Sequence, residues 1–169
     1  MGAYYQAAIG KTRYNGTGGL KLMEHRYLKN NYVNSVLNIL ENNPQPLVWL
    51  CDYTEDNCEY TNLTWNNTEK VGLEETSKEP QRYILNHTKN LYIDRDELIT
   101  KMSFKQEDNW YIHPIPILCN SEDESMGGGD LHNDELRRAT WCGDLISVQT
   151  NKPDESFQNT TNDCMFFED

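Results

Sequence analysis

Positive charge is what this chain has least of, and the deficit is uneven. The chain carries 15 Lys and Arg against 27 Asp and Glu, a formal charge of −12 over 169 residues. Residues 1–50 hold five basic side chains (Lys11, Arg13, Lys21, Arg26 and Lys29) against Glu24 and Glu41, so residues 51–169 hold ten basic and 25 acidic ones. A surface of that sign repels phosphate backbones and anionic headgroups and attracts cationic protein surfaces. Direct nucleic-acid binding and membrane binding are therefore not expected. Long apolar runs are missing too, since nothing approaches the roughly 18 consecutive apolar residues of a membrane span. The opening Met1-Gly2-Ala3-Tyr4-Tyr5 has no basic region followed by an apolar stretch, and Gln6 stands where a myristoylation pattern wants Ser or Thr. Cysteine is sparse and odd in number: Cys51, Cys58, Cys119, Cys142 and Cys164 are read as reduced thiols of a cytoplasmic chain. The Asn-x-Ser/Thr sequons at Asn15, Asn62, Asn66, Asn86 and Asn159 would matter only in a secreted one. Aromatics are not lacking at 11%, which excludes a globally disordered acidic polymer. The length fits one domain, residues 1–169.

Periodicity predicts the elements. Tyr4 to Ile9 reads as an opening strand, and Asn15 to Gly19 as a Gly-rich turn. From Asn30 to Glu41, Tyr32, Val33, Val36, Leu37 and Leu40 recur at helical spacing, with Asn30 or Asn31 to cap and Asn42-Asn43-Pro44 to stop. Pro46 to Cys51 is a nearly continuous apolar run, the pattern of a central strand covered on both faces, with Asp52 at its end. Residues 54–80 are expected to be a long acidic loop with a helical piece around 68–76. Arg82–Leu85 and Leu91–Ile93 form a hairpin about a polar turn. The two prolines of Trp110 to Leu118 predict an extended or edge segment. A second acidic loop covers residues 120–134, Trp141 to Gln149 gives a further strand, and Met165-Phe166-Phe167 is a terminal hook. The fold class is α+β: a largely antiparallel mixed sheet with one clear helix and long acidic loops.

Chemistry-bearing motifs are scarce. The four histidines (His25, His87, His113 and His132) lie in separate segments without metal-ligand spacing, so no metal and no cofactor are expected. Gly127-Gly128-Gly129-Asp130 lacks the Lys-Ser/Thr of a phosphate loop, and Glu122, Asp123 and Glu124 just upstream would repel phosphate. No Gly-x-Ser-x-Gly is present. An enzymatic alternative, a small hydrolase or nucleotide-acting enzyme, would gather Glu24, His25, Asp52 and His113 into one pocket for proton transfer. The plainer reading of His25 and His113 is a hydrogen bond to backbone. Three acidic clusters remain: Asp52, Glu55, Asp56 and Glu59; Glu69, Glu74, Glu75 and Glu79; and Glu122 to Glu124 with Asp130, Asp134 and Glu135. They read either as a solvated surface or as an anionic face that imitates a phosphate backbone.

Several segments together resemble an uncharacterised family of small proteins of Gram-positive bacteria and their phages. They are Met1 to Tyr5, Gly19 to His25, Val48 to Tyr53, Asn86 to Lys89, Ile112 to Pro116 and Gly127 to Asp130. Cys51 stands where similar proteins show Gly. The resemblance implies a mobile-element origin, where small acidic proteins act against host defence, and it transfers no catalytic residue. The leading expectation is a non-enzymatic, cytoplasmic, phage-encoded inhibitor of a host defence system, anti-CRISPR-like. It would grip a basic protein or ribonucleoprotein effector through Asp52, Glu55, Asp56, Glu59, Glu122, Asp123, Glu124 and Asp130, with Tyr53, Tyr60 and Trp65 as anchors. A third possibility sequesters a small nucleotide signal between aromatic rings, with Lys21 and Arg26 as the basic donors.

Overall fold

Eight strands join into one sheet in the order β4-β2-β1-β3-β7-β5-β6-β8. The structure is a computed structural model, and it describes residues 4–16, 21, 30–54, 58–103, 112–121 and 139–166. The strands are β1 (Tyr5–Ile9), β2 (Thr12–Asn15), β3 (Gln45–Cys51), β4 (Glu69–Gly72), β5 (Tyr83–Asn86), β6 (Leu91–Asp94), β7 (Leu145–Gln149) and β8 (Gln158–Asn159). The helices are α1 (Asn31–Ile39), α2 (Arg95–Ser103) and α3 (Pro114–Leu118), with a 3₁₀ turn at Thr161–Cys164. Two of the strand pairings, β2 with β4 and β6 with β8, are parallel and the rest are antiparallel. This is the expected α+β architecture on a mixed, mainly antiparallel sheet.

The strand alternation builds two faces. Tyr5, Ala7 and Ile9 of β1, Leu47, Trp49 and Cys51 of β3, Ile84, Ile93, Ile146 and Val148 pack into the main core with α1, Leu98 and Met102 of α2, and Ile115 to Leu118. On the opposite face Ala8, Val48 and Leu50 are covered by Leu63, Trp65 and Cys142. Burying each large apolar side chain contributes about 1.5–3 kcal/mol, so β3, apolar on both sides, is the sheet's centre as its sequence predicts. α1 forms where expected. Asn30 accepts from the Val33 N–H at 3.0 Å, and the chain leaves the helix through Asn42 at φ 50°.

Tyr32 of α1 does more than fill the core. Its hydroxyl accepts from the Ala7 N–H at 2.8 Å and donates to the Tyr14 carbonyl at 2.6 Å. The register Ala8↔Arg13 would place Ala7 opposite Tyr14, so the phenol stands in for a ladder bond where β1 and β2 diverge. Its ring packs edge-on to Trp49, with centroids 5.7 Å apart. Gly16 lets the ring in: a Cβ there would lie 2.5 Å from Tyr32 Cδ2.

Two expectations need correction, and two features were not expected. The proline-containing segment is not extended. Pro114–Leu118 is a fully buried helix capped by His113, because Pro114 and Pro116 occupy first-turn positions whose N–H groups have no helical acceptor. The helical piece placed at 68–76 is instead edge strand β4, paired in parallel with β2 from Thr12↔Glu69 to Asn15↔Gly72. An unexpected turn at Gly10-Lys11, with Gly10 at φ 60°, leads into β2, while residues 17–19 of the Gly-rich turn lie outside the described residues. α2 was not foreseen. Asp94 starts it, accepting from the N–H groups of Asp96 (3.1 Å) and Glu97 (3.3 Å) while Arg82 grips both its oxygens at 2.9 and 3.0 Å. The hairpin and the strand at 141–149 stand, the latter shortened to Leu145–Gln149, and the hook docks Met165 and Phe166 on the core. Most of the 120–134 loop lies outside the described residues.

Burial opposes ionisation of Asp94, but the Arg82 hydrogen bonds, the two backbone donors and the Arg82 charge outweigh it and hold the carboxyl below its usual range. Its contribution to stability is therefore present above the unfolded carboxylate pKa of about 4 and lost as pH falls from there through the folded value. Urea midpoints at pH 6 and pH 3 should differ less in Asp94→Asn than in the parent. An equal acid loss in both would show that Asp94 does not couple to the fold.

Candidate partner-binding site

The C-terminal end of β3 is where the first acidic cluster begins. β1 runs antiparallel beside it with Tyr5 opposite Cys51, and the two strand ends lock reciprocally. The Asp52 N–H donates to the Tyr4 carbonyl at 2.9 Å, and Asp52 Oδ1 accepts from the Tyr4 N–H at 3.1 Å. Both rings beside this junction are open to solvent, Tyr4 at 42% and Tyr53 at 45% exposure. Lys21 Nζ sits 5.9 Å over the Tyr4 ring. Asp52 and Glu59 are exposed, and neither has an ion-pair partner among the described residues.

The other flank of β3 is bordered at this end by Cys119–Ser121. Trp49 donates to the Cys119 carbonyl at 2.7 Å and Ser121 donates to the Trp49 carbonyl at 3.0 Å. Buried Ser121 then acts as a clip. Its Oγ accepts from the Cys51 N–H at 2.9 Å and shares a hydrogen bond with Thr54 Oγ1 at 2.7 Å, while its carbonyl accepts from the Cys58 thiol at 3.2 Å. Cys51, Thr54, Cys58 and Ser121 are thereby pinned together at one end of the sheet. Asp52 and Glu59 of the first acidic cluster border these pinned residues in sequence.

Elsewhere six carboxylates are ion-paired. Ion pairs join Glu41 to Lys78, Glu79 to Arg95, Asp94 and Asp96 to Arg82, Glu97 to Lys101, and Asp144 to Lys89. All but the Glu41–Lys78 pair lie on the α2 and β5–β6 side. The β3 end is acidic, with Asp52 and Glu59 outside any ion pair among the described residues, as Glu69, Glu74 and Glu155 also are, and it carries the exposed Tyr4 and Tyr53 rings.

The nominated anchors differ in accessibility. Tyr53 is exposed and Tyr60 is half-buried. Trp65 is half-buried on the second core, with the Arg13 guanidinium 4.0 Å over its ring and Arg13 held by Gln6 and Thr68. Trp65 is thus engaged within its own chain. Tyr4 was missed; its place just ahead of an apolar strand was the available signal. Nothing in the sequence marks Ser121 or Cys58 as a clip, because their partners lie 63 to 70 residues away. Glu55, Asp56, Glu122, Asp123, Glu124 and Asp130 lie outside the described residues, as do Arg26 and the glycine run.

Of the enzymatic set, Glu24 and His25 also lie outside the described residues. Asp52 is exposed and bound to the Tyr4 backbone. His113 is 1% exposed and its Nδ1 accepts from the Ile115 N–H at 3.2 Å. Asp52 and His113 make no hydrogen bond to each other. The nearest approach to a nucleophile–base pair among the described residues is His87 Nε2 with Ser147 Oγ at 2.7 Å, where Ser147 is buried and Phe157 packs edge-on to the imidazole. No group of three or more His, Cys, Asp or Glu side chains gathers for a metal among the described residues, and no helix among them is long and apolar enough to cross a membrane.

No family model matches the chain, and neither the curated proteins nor the solved structures compared with it give a match.

Proposed function

We propose that the chain is a non-enzymatic acidic binding protein, phage-encoded and acting in the host cytosol, that blocks the basic nucleic-acid-binding surface of a defence effector of the CRISPR type. The observation that carries this reading is the end of β3, where Ser121 holds Cys51, Thr54 and Cys58 beside exposed Asp52, Tyr53 and Tyr4. Asp52 and Glu59 are exposed and have no ion-pair partner among the described residues, so their carboxylates can meet Lys and Arg, and a phenol ring adds contact area at little conformational cost. Anionic steering speeds encounter with a cationic groove, and the same groove must then be empty of nucleic acid.

The test is cleavage by purified RNA-guided nucleases, with the protein added either before or after guide and target are loaded. The expected result is inhibition when it is added first and protection of the enzyme by prior loading. Binding that persists unchanged on the nucleic-acid-loaded effector would contradict the reading.

A further inference from the structure

The sheet has β4 at one edge and β8 at the other. β8 is only two residues long, whereas β4 presents four, Glu69–Gly72, all of them exposed. β4 pairs with β2 alone, in parallel. The Glu69 N–H donates to the Lys11 carbonyl at 2.8 Å, and the Leu73 N–H to the Asn15 carbonyl at 2.9 Å. Ladder bonds alternate along a strand, so Glu69, Val71 and Leu73 turn their backbone groups towards β2. Lys70 and Gly72 turn theirs away, and these N–H and C=O groups meet no partner among the described residues. No proline interrupts residues 68–74. Nothing lies within 4 Å of where a Cβ on Gly72 would stand, so a second backbone can approach there.

We propose that β4 pairs with β4 of a second copy of this chain, antiparallel about a two-fold axis through Val71. In that register Lys70 faces Gly72 of the second copy and Gly72 faces its Lys70, and each pair exchanges both backbone bonds. Val71 meets its own counterpart at the non-hydrogen-bonded position between them, where the Cα atoms approach to about 4.5 Å. That contact covers a side chain 38% exposed in the single chain. Charge fits the same register. Lys70 and Glu74 are exposed and outside any ion pair among the described residues, and the pairing sets each Lys70 diagonally across from Glu74 of the other copy. Lysine is the residue that usually keeps such an edge from pairing; here it finds an acid. Centring the axis on Lys70 would oppose two lysines, and centring it on Gly72 would oppose Glu69 and Glu75. The contact is short beside those of stable dimers, and each copy carries −12, so the dimer is weak and favoured by concentration and by salt that screens the repulsion. β1 and β2 separate β4 from β3, so this surface is independent of any effector.

The test is sedimentation of the full chain at about 300 mM salt, over protein concentrations from roughly 10 μM to 1 mM. The weight-average mass should climb from that of one chain towards that of two. Val71→Lys and Val71→Glu each set like charges face to face on the axis, and each should weaken self-association about tenfold. An equimolar mixture of the two variants should restore it. Val71 is an exposed edge position, so both variants should melt within about 2 °C of the parent. Should either fail to fold, Gly72→Pro is read in the same assay. It deletes an outward N–H, the place where an edge strand tolerates proline, and should also weaken the dimer. A chain that stays monomeric up to about 1 mM, or a dimer that these substitutions leave intact, overturns the proposal.

Discussion

Replacing Tyr32 by phenylalanine should lower the stability of the fold by about 2–3 kcal/mol, a fall in melting temperature of about 5–10 °C for a chain of this size. The change removes one oxygen and leaves the ring, the contact with Trp49 and the core volume in place. What is lost is the bridge between the Ala7 N–H and the Tyr14 carbonyl, so one buried and one half-buried backbone group lose this partner at once. Burial also raises the Tyr32 pKa, ahead of the effects of its neighbours, so the phenol is neutral and donates to Tyr14 throughout the physiological range. Amide exchange should speed up most at Ala7, where β1 and β2 part. A loss under about 0.5 kcal/mol would show that the strands close directly once the hydroxyl is gone.

The second large effect concerns the partner. Tyr53→Ala should weaken binding to the proposed effector by about 2 kcal/mol, roughly thirtyfold, while the melting temperature stays within about 1 °C. Tyr53 is exposed, and its main-chain N–H contact with Cys51 Sγ at 3.4 Å survives the substitution, so the fold has little to lose. Trp65→Ala should do the reverse. It strips the ring beneath Arg13 and uncovers Val48 and Leu50, so stability falls first. A Trp65 variant that binds poorly yet melts normally would place the contact surface on the opposite face of the sheet.

What the chain reveals by pattern is its local structure. α1 was legible because five apolar residues share one helical face and Asn30 caps it. β3 was legible because a doubly covered strand reads as a continuous apolar run, and the hairpin because two β-branched and aromatic stretches flank a polar turn. What pattern concealed depends on contacts distant in sequence. Glu69–Gly72 has no apolar alternation, since all four residues are exposed, and it is a strand only because β2 offers it a free edge. Pro114 and Pro116 suggest extended backbone until His113 is known to cap them. α2 has a weakly amphipathic sequence and is held by Asp94 at its start and by Leu98 and Met102 in the core.

The site was legible in composition and not in geometry. The acidic excess named the β3 end through Asp52, but it assigned the same weight to Glu79, which the fold spends on Arg95. It also treated Trp65 as free when Arg13 covers it. Ser121 is an unremarkable residue in a polar run, and only the fold shows that its hydroxyl and carbonyl meet Cys51, Thr54 and Cys58.

The measurement that bears most directly on the acidic-corner account is the salt dependence of effector binding, in the parent and in the Asp52→Asn, Glu59→Gln double variant. Affinity of the parent should fall about tenfold or more between 50 and 300 mM salt. The double variant should start weaker and show a shallower slope, with its melting curve unchanged. Parent and variant falling together, or a parent indifferent to salt, would mean that the carboxylates at the end of β3 do not meet the partner.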